Sequence, residues 1–270
     1  MNSDSGTGKA DAATIYEPRA VAFLDILGFS DMIMSGGAER EIAELFEVLR
    51  KRATEVDRGI SRSGRMQFTA FSDSIVVSED VLDGFGTYRI GGYAAYLALE
   101  LLARGFLVRG GASVGSLYHR DGTVFGPALI EAHQLESKVA QFPRLAVSAA
   151  FRESAVNGAA SGRFGVASPL GFLAAQELFR TDFDGVVHID IFSRFVPAPQ
   201  RYHEASGIYQ PPLPGGSGVP ITPEVMARAA RNSVRRTRQL RYKEGAKQKY
   251  DWMDRYLADA AARNQWPECI

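Results

Sequence analysis

The sequence predicts an α+β protein built on one sheet, and three observations support this class. From residue 19 to 150 the hydrophobic patterns follow the order strand, helix, hairpin, helix, strand, helix, strand. The hairpin breaks the simple strand and helix alternation of a purely parallel sheet. The 270 residues are 46% hydrophobic and 23% charged, which is typical of a globular protein with one sizeable core. We expect a sheet with its helices on one face and a helical extension at the C-terminus.

The first predicted strand ends in a carboxylate. Residues 20–24 form a continuous apolar run, as in a central strand covered on both faces, and the run leads directly into Asp25. Apolar residues then recur at helical spacing from Ile42 to Val56, with glutamates between them. The pattern predicts a strand, a tight turn and an amphipathic helix.

A second carboxylate is expected at the tip of a hairpin. Residues 66–71 alternate with period two, Ser72-Asp73-Ser74 has turn composition, and residues 75–77 resume as a strand. A helical stripe from Ile90 to Leu102 follows and ends at a glycine. These patterns predict a hairpin with Asp73 at its turn, followed by a second helix.

The remaining patterns complete the predicted domain. Residues 107–119 form a long strand that contains glycines, and Gly126-Pro127 opens a third helix, since proline is tolerated in a first turn. Residues 144–148 predict a further strand. We expect this domain to span residues 19–195.

Outside this domain the chain divides into three further parts. Residues 1–18 are small and polar and are expected to form a flexible tail. Residues 196–223 hold 7 of the 12 prolines and predict a long irregular connection. Residues 224–270 predict two helices, near 223–242 and 246–262, that pack on the same domain or on a dimer partner.

Charge and cysteine content exclude several function classes. Lys and Arg total 31 and Asp and Glu total 31, so a protein that binds nucleic acid over its whole surface is disfavoured. The only cysteine, Cys269, permits neither an internal disulfide nor a cysteine-rich metal cluster, and the four histidines lack zinc-site spacing. No leader pattern and no apolar stretch of membrane-spanning length occurs, so we expect a cytoplasmic protein without a membrane partner.

The two aspartates form a candidate metal site. If their strands are neighbours, Asp25 and Asp73 converge at one sheet edge, and paired carboxylates suit Mg²⁺ or Mn²⁺. The alternative is that each aspartate only caps a turn. The turn Gly28-Phe29-Ser30-Asp31 lies before a helix, where free backbone N–H groups favour an anion, although such turns often bind nothing.

Three segments together resemble the class III nucleotidyl cyclases. AVAFLDILGFSD resembles the F-x-D-I-x-G-F-[ST] signature of that family, and FTAFSDSIVVS looks like its metal-bearing hairpin. VRGGASVGSLYHRDGTVFGPALIEAHQLES is similar to the family's R-x-G-I-x-x-G strand and the helix after it. The resemblance covers residues 19 to 150 and implies a ferredoxin-like, palm-type sheet.

The resemblance implies roles for individual residues. Asp25, Asp73 and the Ile26 carbonyl would hold two Mg²⁺ or Mn²⁺ ions, and the backbone of Gly28, Phe29 and Ser30 would bind the triphosphate. Members of the family act as homodimers with active sites at the interface. One subunit supplies the metal ligands and the other supplies the base pocket, so the resemblance implies a homodimer here.

Several positions depart from the adenylyl cyclase pattern. Thr69 and Thr123 replace the base-reading Lys and Asp, so both become candidates for the base pocket. Ile130 and Gln134 replace the family's transition-state Asn and Arg. The whole pattern is most similar to the pyrimidine cyclases of the Pycsar anti-phage system, which implies UTP first and CTP second as substrate. It also implies a separately encoded effector that the cyclic product activates.

Two residues are candidates for the positive charge that the family's transition-state Arg supplies and that Gln134 does not. Arg109 lies on the strand beside the hairpin, with a packing role as the alternative. Arg235 lies in a segment, 228–249, where nine Arg and Lys residues face the single acid Glu244, with a solvated helix face as the alternative.

The sequence is also compatible with other functions. A purine cyclase keeps the same chemistry, whereas a dinucleotide cyclase would need a GG[DE]EF turn in place of FSDS. A non-catalytic nucleotide-binding module is supported by Ile130 and Gln134. No residue in the sequence distinguishes uracil from cytosine.

Overall fold

The computed structural model describes residues 15–36, 39–56, 66–161, 169–193, 227–232, 234–235 and 246–266. The strands are β1 Glu17–Ile26, β2 Gln67–Phe71, β3 Ser74–Asp80, β4 Val108–Arg120, β5 Thr123–Phe125, β6 Leu145–Val147, β7 Phe179–Thr181 and β8 Val187–Ile189. The helices are α1 Phe29–Ser35, α2 Glu39–Val56, α3 Gly86–Ala103, α4 Pro127–Gln134, α5 Ala149–Ser161, α6 Pro169–Glu177 and α7 Lys247–Asn264, and a π-helical turn, Leu135–Val139, follows α4.

One mixed sheet organises the molecule. Its strand order is β2-β3-β1-β4-β6-β8-β7, and β5 pairs with β4 outside this path. The central strand β1 is antiparallel to both β3 and β4, whereas β4 and β6 are parallel. The predicted hairpin, the long glycine-containing strand and the strand near residue 145 are confirmed.

Helices cover both faces of the sheet. Alternate residues of β1, among them Ala20 and Leu24, lie in the main core cluster together with residues of α3. Val21 faces the other way and packs with Ala128 and Ala132 of α4 in a second cluster. The α+β class is therefore confirmed, but the expectation of helices on one face alone needs correction. The continuous apolar run of β1 reflects burial on both faces.

Three helices, α1, α5 and α6, were not expected from the sequence. Helix α1 has only 7 residues, and the apolar residues of α5 and α6 recur with weak helical periodicity, so the hydrophobic pattern did not predict these helices. β1 also begins at Glu17, so the last residues of the expected tail pair with Leu117 and Ser116 of β4. The predicted 196–223 connection lies outside the described residues.

The C-terminal helix α7 packs on the sheet domain. The predicted helix at 246–262 is confirmed, and Trp252, Met253 and Leu257 join the main core cluster. The buried Asp190 accepts hydrogen bonds from Tyr256 Oη at 2.7 Å and Arg263 Nη1 at 2.8 Å. No helix of the described residues combines the length and apolarity that crossing a membrane requires.

Candidate functional site

The structure brings Asp25 and Asp73 to the same edge of the sheet. Asp25 is the penultimate residue of β1, where it pairs with Ser74 of β3. Asp73 forms the β2–β3 turn, and its carbonyl oxygen accepts a hydrogen bond from the Ile26 N–H at 2.9 Å. The backbone therefore ties the hairpin tip to the end of the central strand, and the predicted hairpin turn at Asp73 is confirmed.

Two residues with positive φ shape this edge. Ser72, at φ 55°, occupies the left-handed region and closes the hairpin in two residues, which leaves Asp73 beside Ser74. Gly28, at φ 77°, lies two residues after β1 and precedes α1, and its carbonyl accepts the Met32 N–H at 3.2 Å. Glycine has no Cβ to oppose this conformation, so the chain can turn immediately after the carboxylate.

Asp25 lies in a negative electrostatic environment. Burial raises the pKa of Asp25 to about 6, and the nearby charges of Glu136 and Asp73 act in the same direction. The positive charges of Arg109 and Lys249 lower this pKa, so α7 brings a cation into the neighbourhood of the site. A bound cation would be favoured at a site where burial and neighbouring acids together raise the pKa of a carboxyl group.

Arg109, a candidate for binding phosphate, is paired within the protein. It lies opposite Asp25 in the β1–β4 pairing, and its Nε donates to Glu136 Oε1 at 2.5 Å. The side chain of Glu136 is 5% exposed and that of Arg109 is 24% exposed. Gly111 lets α4 approach β4, because a Cβ at this position would lie 2.0 Å from the Ala132 carbonyl oxygen. That approach puts the π-helical turn and Glu136 beside Arg109.

The donor set suits a hard divalent cation. The carboxylates of Asp25 and Asp73 and the Ile26 carbonyl offer only oxygen atoms, which Mg²⁺ and Mn²⁺ prefer. Within the described ranges, no three His, Cys, Asp or Glu side chains come together as a metal-binding group. Cations bound by this set would need further ligands from water or from the phosphates of a substrate, as magnesium sites commonly do.

The two candidate base-pocket threonines lie on different strands, Thr69 in β2 and Thr123 in β5. Thr69, in β2, lines a surface cavity of about 570 Å³ together with Phe46, Phe68 and Gly122. Thr123, next to Gly122, is exposed at the start of β5. Neither aspartate lines this cavity. Ser72, the neighbour of Asp73 in the hairpin turn, does line it, so the cavity begins beside the aspartates but does not include their side chains.

Three further predicted positions are exposed. Ile130 and Gln134 lie on α4, and the Ile130 residue is 60% exposed. Arg235 is exposed in a short helical stretch and has no hydrogen bond or ion pair to another residue in the described ranges. The structure does not bring Arg235 to the aspartates by any contact among these residues.

Sequence reasoning missed His119. This residue of β4 is fully buried, and its ring nitrogens lie 3.0 Å from Thr69 Oγ1 and 2.8 Å from Ser78 Oγ. A lone histidine in a glycine-rich strand carries no local signal that it will form buried hydrogen bonds to two other strands. Its partners lie 50 and 41 residues away in sequence, so only the folded chain reveals the contact.

Comparisons with solved structures find nucleotidyl cyclase domains and a cyclase-like protein at low similarity. The monomeric guanylyl cyclase domain of the RhoGC fusion protein from the aquatic fungus Blastocladiella emersonii gives a TM-score of 0.45 at 14% identity, covering 64% of this chain and 95% of that chain. The guanylyl cyclase Cya2 gives 0.41 at 15% identity, covering 52% of this chain and 79% of that chain.

A class III adenylyl cyclase-like ATP-binding protein from Pseudomonas aeruginosa gives a TM-score of 0.42 at 12% identity, covering 62% of this chain and 42% of that chain. No protein-family model and no curated protein matches the chain. With TM-scores below 0.5, these similarities do not establish a shared fold or function.

Proposed function

We propose that this protein is a nucleotidyl cyclase that converts a pyrimidine nucleoside triphosphate, UTP in the first place, to its 3′,5′-cyclic monophosphate and pyrophosphate. The observation that carries the proposal is the convergence of Asp25 and Asp73, tied by the 2.9 Å hydrogen bond from Ile26 N–H to the Asp73 carbonyl. The three sequence segments that resemble class III cyclases contain both aspartates.

Asp25, Asp73 and the Ile26 carbonyl would hold two Mn²⁺ or Mg²⁺ ions. Bound there, the ions would lower the pKa of the ribose 3′-hydroxyl and neutralise the charge of the leaving pyrophosphate. The negative field around Asp25 supports this assignment, because a cation would relieve the repulsion from Glu136 and Asp73.

The chain itself would position the triphosphate. In the proposed reaction the 3′-oxygen forms a bond to the α-phosphorus, the bond from that phosphorus to the bridging oxygen breaks, and the 3′ proton passes to solvent. The backbone of Gly28, Phe29 and Ser30 is the proposed contact for the phosphates. Arg109 is a candidate for the positive charge once substrate competes with Glu136, and Arg235 is a second candidate.

A homodimer with shared sites fits the separation of the two residue sets. The cavity that Thr69 lines includes neither Asp25 nor Asp73, so a second copy is proposed to bring a base pocket to each metal site. Exposed apolar side chains support an interface on the α4 side: Phe71 is 82% exposed, Ile130 60% and Phe125 40%. The product is proposed as a second messenger in anti-phage defence that activates a separately encoded effector.

The alternatives are a CTP-specific or purine cyclase and a non-catalytic module that binds nucleotides. The exposed Ile130 and Gln134 favour the non-catalytic module, because Ile130 offers no hydrogen bond and Gln134 offers an amide but no positive charge. Binding without turnover would identify that module.

Product analysis with all four ribonucleoside triphosphates and Mn²⁺ tests the proposal. We expect cyclic UMP from the unmodified protein and none from Asp25→Ala or Asp73→Ala. Glu153→Ala, which removes an exposed acid on α5, is the matched control and should retain activity. A cyclic purine as the product would overturn the pyrimidine assignment, and the absence of any cyclic product would overturn the catalytic one.

A further inference from the structure

A hydrogen-bonded chain of four side chains runs from the interior to the candidate base pocket. Arg19 Nε donates to Ser78 Oγ at 3.0 Å, and Ser78 Oγ lies 2.8 Å from His119 Nδ1. His119 Nε2 in turn lies 3.0 Å from Thr69 Oγ1. Arg19, Ser78 and His119 are buried, whereas Thr69 is half-buried and lines the 570 Å³ cavity. The chain links residues of β1, β3, β4 and β2.

The single hydroxyl hydrogen of Ser78 fixes the direction of the first link. In the described ranges the Ser78 hydroxyl has two partners, Arg19 Nε and His119 Nδ1. Arginine can only donate, so the Ser78 oxygen accepts from Arg19. The hydrogen of this buried hydroxyl then has His119 Nδ1 as its acceptor, since a buried donor without a partner is costly.

The charge state of His119 fixes the second link. Burial and, to a smaller extent, the nearby Arg19 guanidinium lower the pKa of His119 to about 4, so the imidazole is neutral at pH 7. A neutral imidazole carries one N–H. Because Nδ1 accepts from Ser78, that hydrogen is on Nε2, and Nε2 donates to Thr69 Oγ1.

The last link leaves Thr69 as a donor toward the cavity. Its oxygen already accepts from His119, and its own hydroxyl hydrogen has no acceptor among the residues that the structure describes. Hydrogen bonds that run in one direction polarise each other, and a hydroxyl that accepts a hydrogen bond becomes a better donor. A ligand in the cavity would therefore meet the Thr69 hydroxyl as a hydrogen-bond donor, because the Thr69 oxygen already accepts from His119.

From this geometry we propose that Thr69, positioned by Arg19, Ser78 and His119, acts as a hydrogen-bond donor that selects a base with a carbonyl oxygen, and not an amino group, at the pyrimidine 4-position. The inference rests on the proposed function and deepens it, because it prefers uracil to cytosine. Uracil offers O4 as an acceptor at the position where cytosine carries an amino group. With CTP, the Thr69 hydroxyl would face the cytosine amino group, and both donors would lack an acceptor, which disfavours CTP.

Binding of nucleotide analogues that cannot cyclise tests the base preference without turnover. The α,β-methylene analogues of UTP and CTP retain the base and block the bond that must break. Calorimetric titration of the full chain should give at least fivefold tighter binding of the uracil analogue, as expected for one neutral hydrogen bond. Thr69→Val should remove this preference, whereas Thr69→Ser, which keeps the hydroxyl, should retain it.

Variants of His119 test the relay apart from Thr69. His119→Gln retains an N–H donor for Thr69 and should retain the preference, whereas His119→Met has no donor and should reduce it. A direct readout that needs no nucleotide is the tautomer of His119 from nitrogen-15 NMR, which should show the hydrogen on Nε2. A hydrogen on Nδ1 would overturn the inference.

The outcomes separate this inference from the proposed function. If the analogues bind equally, or if Thr69→Val keeps the uracil preference, the donor assignment is wrong and a cyclase of open base preference remains. If no nucleoside triphosphate analogue binds, the proposed function fails, and the inference fails with it. A guanine analogue that binds better than an adenine analogue, with the same dependence on Thr69, would support the donor role of Thr69 and show that the selected base is a purine and not a pyrimidine.

Discussion

Asp25 and Arg109 lie directly opposite each other across the β1–β4 ladder, but the Arg109 guanidinium bonds Glu136. The guanidinium group on the residue directly opposite Asp25 is therefore paired with the Glu136 carboxylate. Burial, together with the charges of Glu136 and Asp73, holds the pKa of Asp25 at about 6. The site keeps negative charge that a bound cation would neutralise.

The first prediction concerns how much the negative charge of Asp25 lowers the free energy of unfolding. We expect Asp25→Asn to raise the free energy of unfolding by about 1–2 kcal/mol at pH 7 in metal-free buffer. The neutral amide avoids the desolvation and repulsion that raise the pKa of Asp25 from 3.8 to about 6, and solvent at this half-buried position screens part of that cost. Chemical denaturation with a chelator present measures the change.

The pH dependence of this gain follows from the direction of the shift. Below pH 3.8 Asp25 is protonated in both the folded and unfolded states, so the substitution gains nothing. Between pH 3.8 and 6 the unfolded state loses its proton first, and above pH 6 the full penalty applies. Glu153→Gln, on an exposed position of α5, should change stability by less than about 0.5 kcal/mol. An Asn variant with no gain at pH 7 would contradict the prediction.

The second prediction concerns the partner of Arg109. Glu136→Gln removes a negative charge near Asp25 and leaves the Arg109 charge without a counter-ion, so the pKa of Asp25 should fall from about 6 toward 3.8. Carbon-13 NMR titration of the aspartate carboxyl groups measures this pKa. Glu131→Gln, at an exposed position of α4, is the control and should leave it unchanged. A pKa that rises in Glu136→Gln would contradict the proposed electrostatics.

Local patterns predicted the aspartates, whereas the partners of the site required the fold. Asp25 follows a continuous apolar strand and Asp73 occupies a turn between alternating strands, so each position is readable from its neighbours in sequence. The Arg109–Glu136 pair spans 27 residues and the Arg19–Ser78 contact spans 59. Such contacts depend on register and side-chain direction, which hydrophobic periodicity does not encode.

The third prediction uses the buried imidazole of His119. Its pKa is 6.5 in the unfolded chain and about 4 in the folded protein, with burial as the main cause. As pH falls from 6.5 to 4 the unfolded state takes up a proton that the folded state does not. This histidine should therefore lower the free energy of unfolding by about 3 kcal/mol over that interval.

His119→Gln isolates this contribution from acids that titrate in the same range. The loss of stability between pH 6.5 and 4 should be smaller in the variant by about 3 kcal/mol. His133→Gln, at an exposed position of α4, should follow the unmodified protein at every pH. Equal pH profiles for His119→Gln and the unmodified protein would show that His119 is not held neutral by the fold.

The fourth prediction tests the proposed interface between two copies. Ile130 is 60% exposed on α4, and a glutamate there would place a charge in an apolar contact, which is costly without a partner. We expect Ile130→Glu to convert a dimer into a monomer in light scattering and to reduce cyclase activity at least tenfold, because each site is proposed to need both copies. Leu173→Glu on α6, where the native side chain is 49% exposed, should leave mass and activity unchanged. A fully active Ile130→Glu monomer would contradict the shared site, since the aspartates and Thr69 would then have to serve one substrate within a single chain.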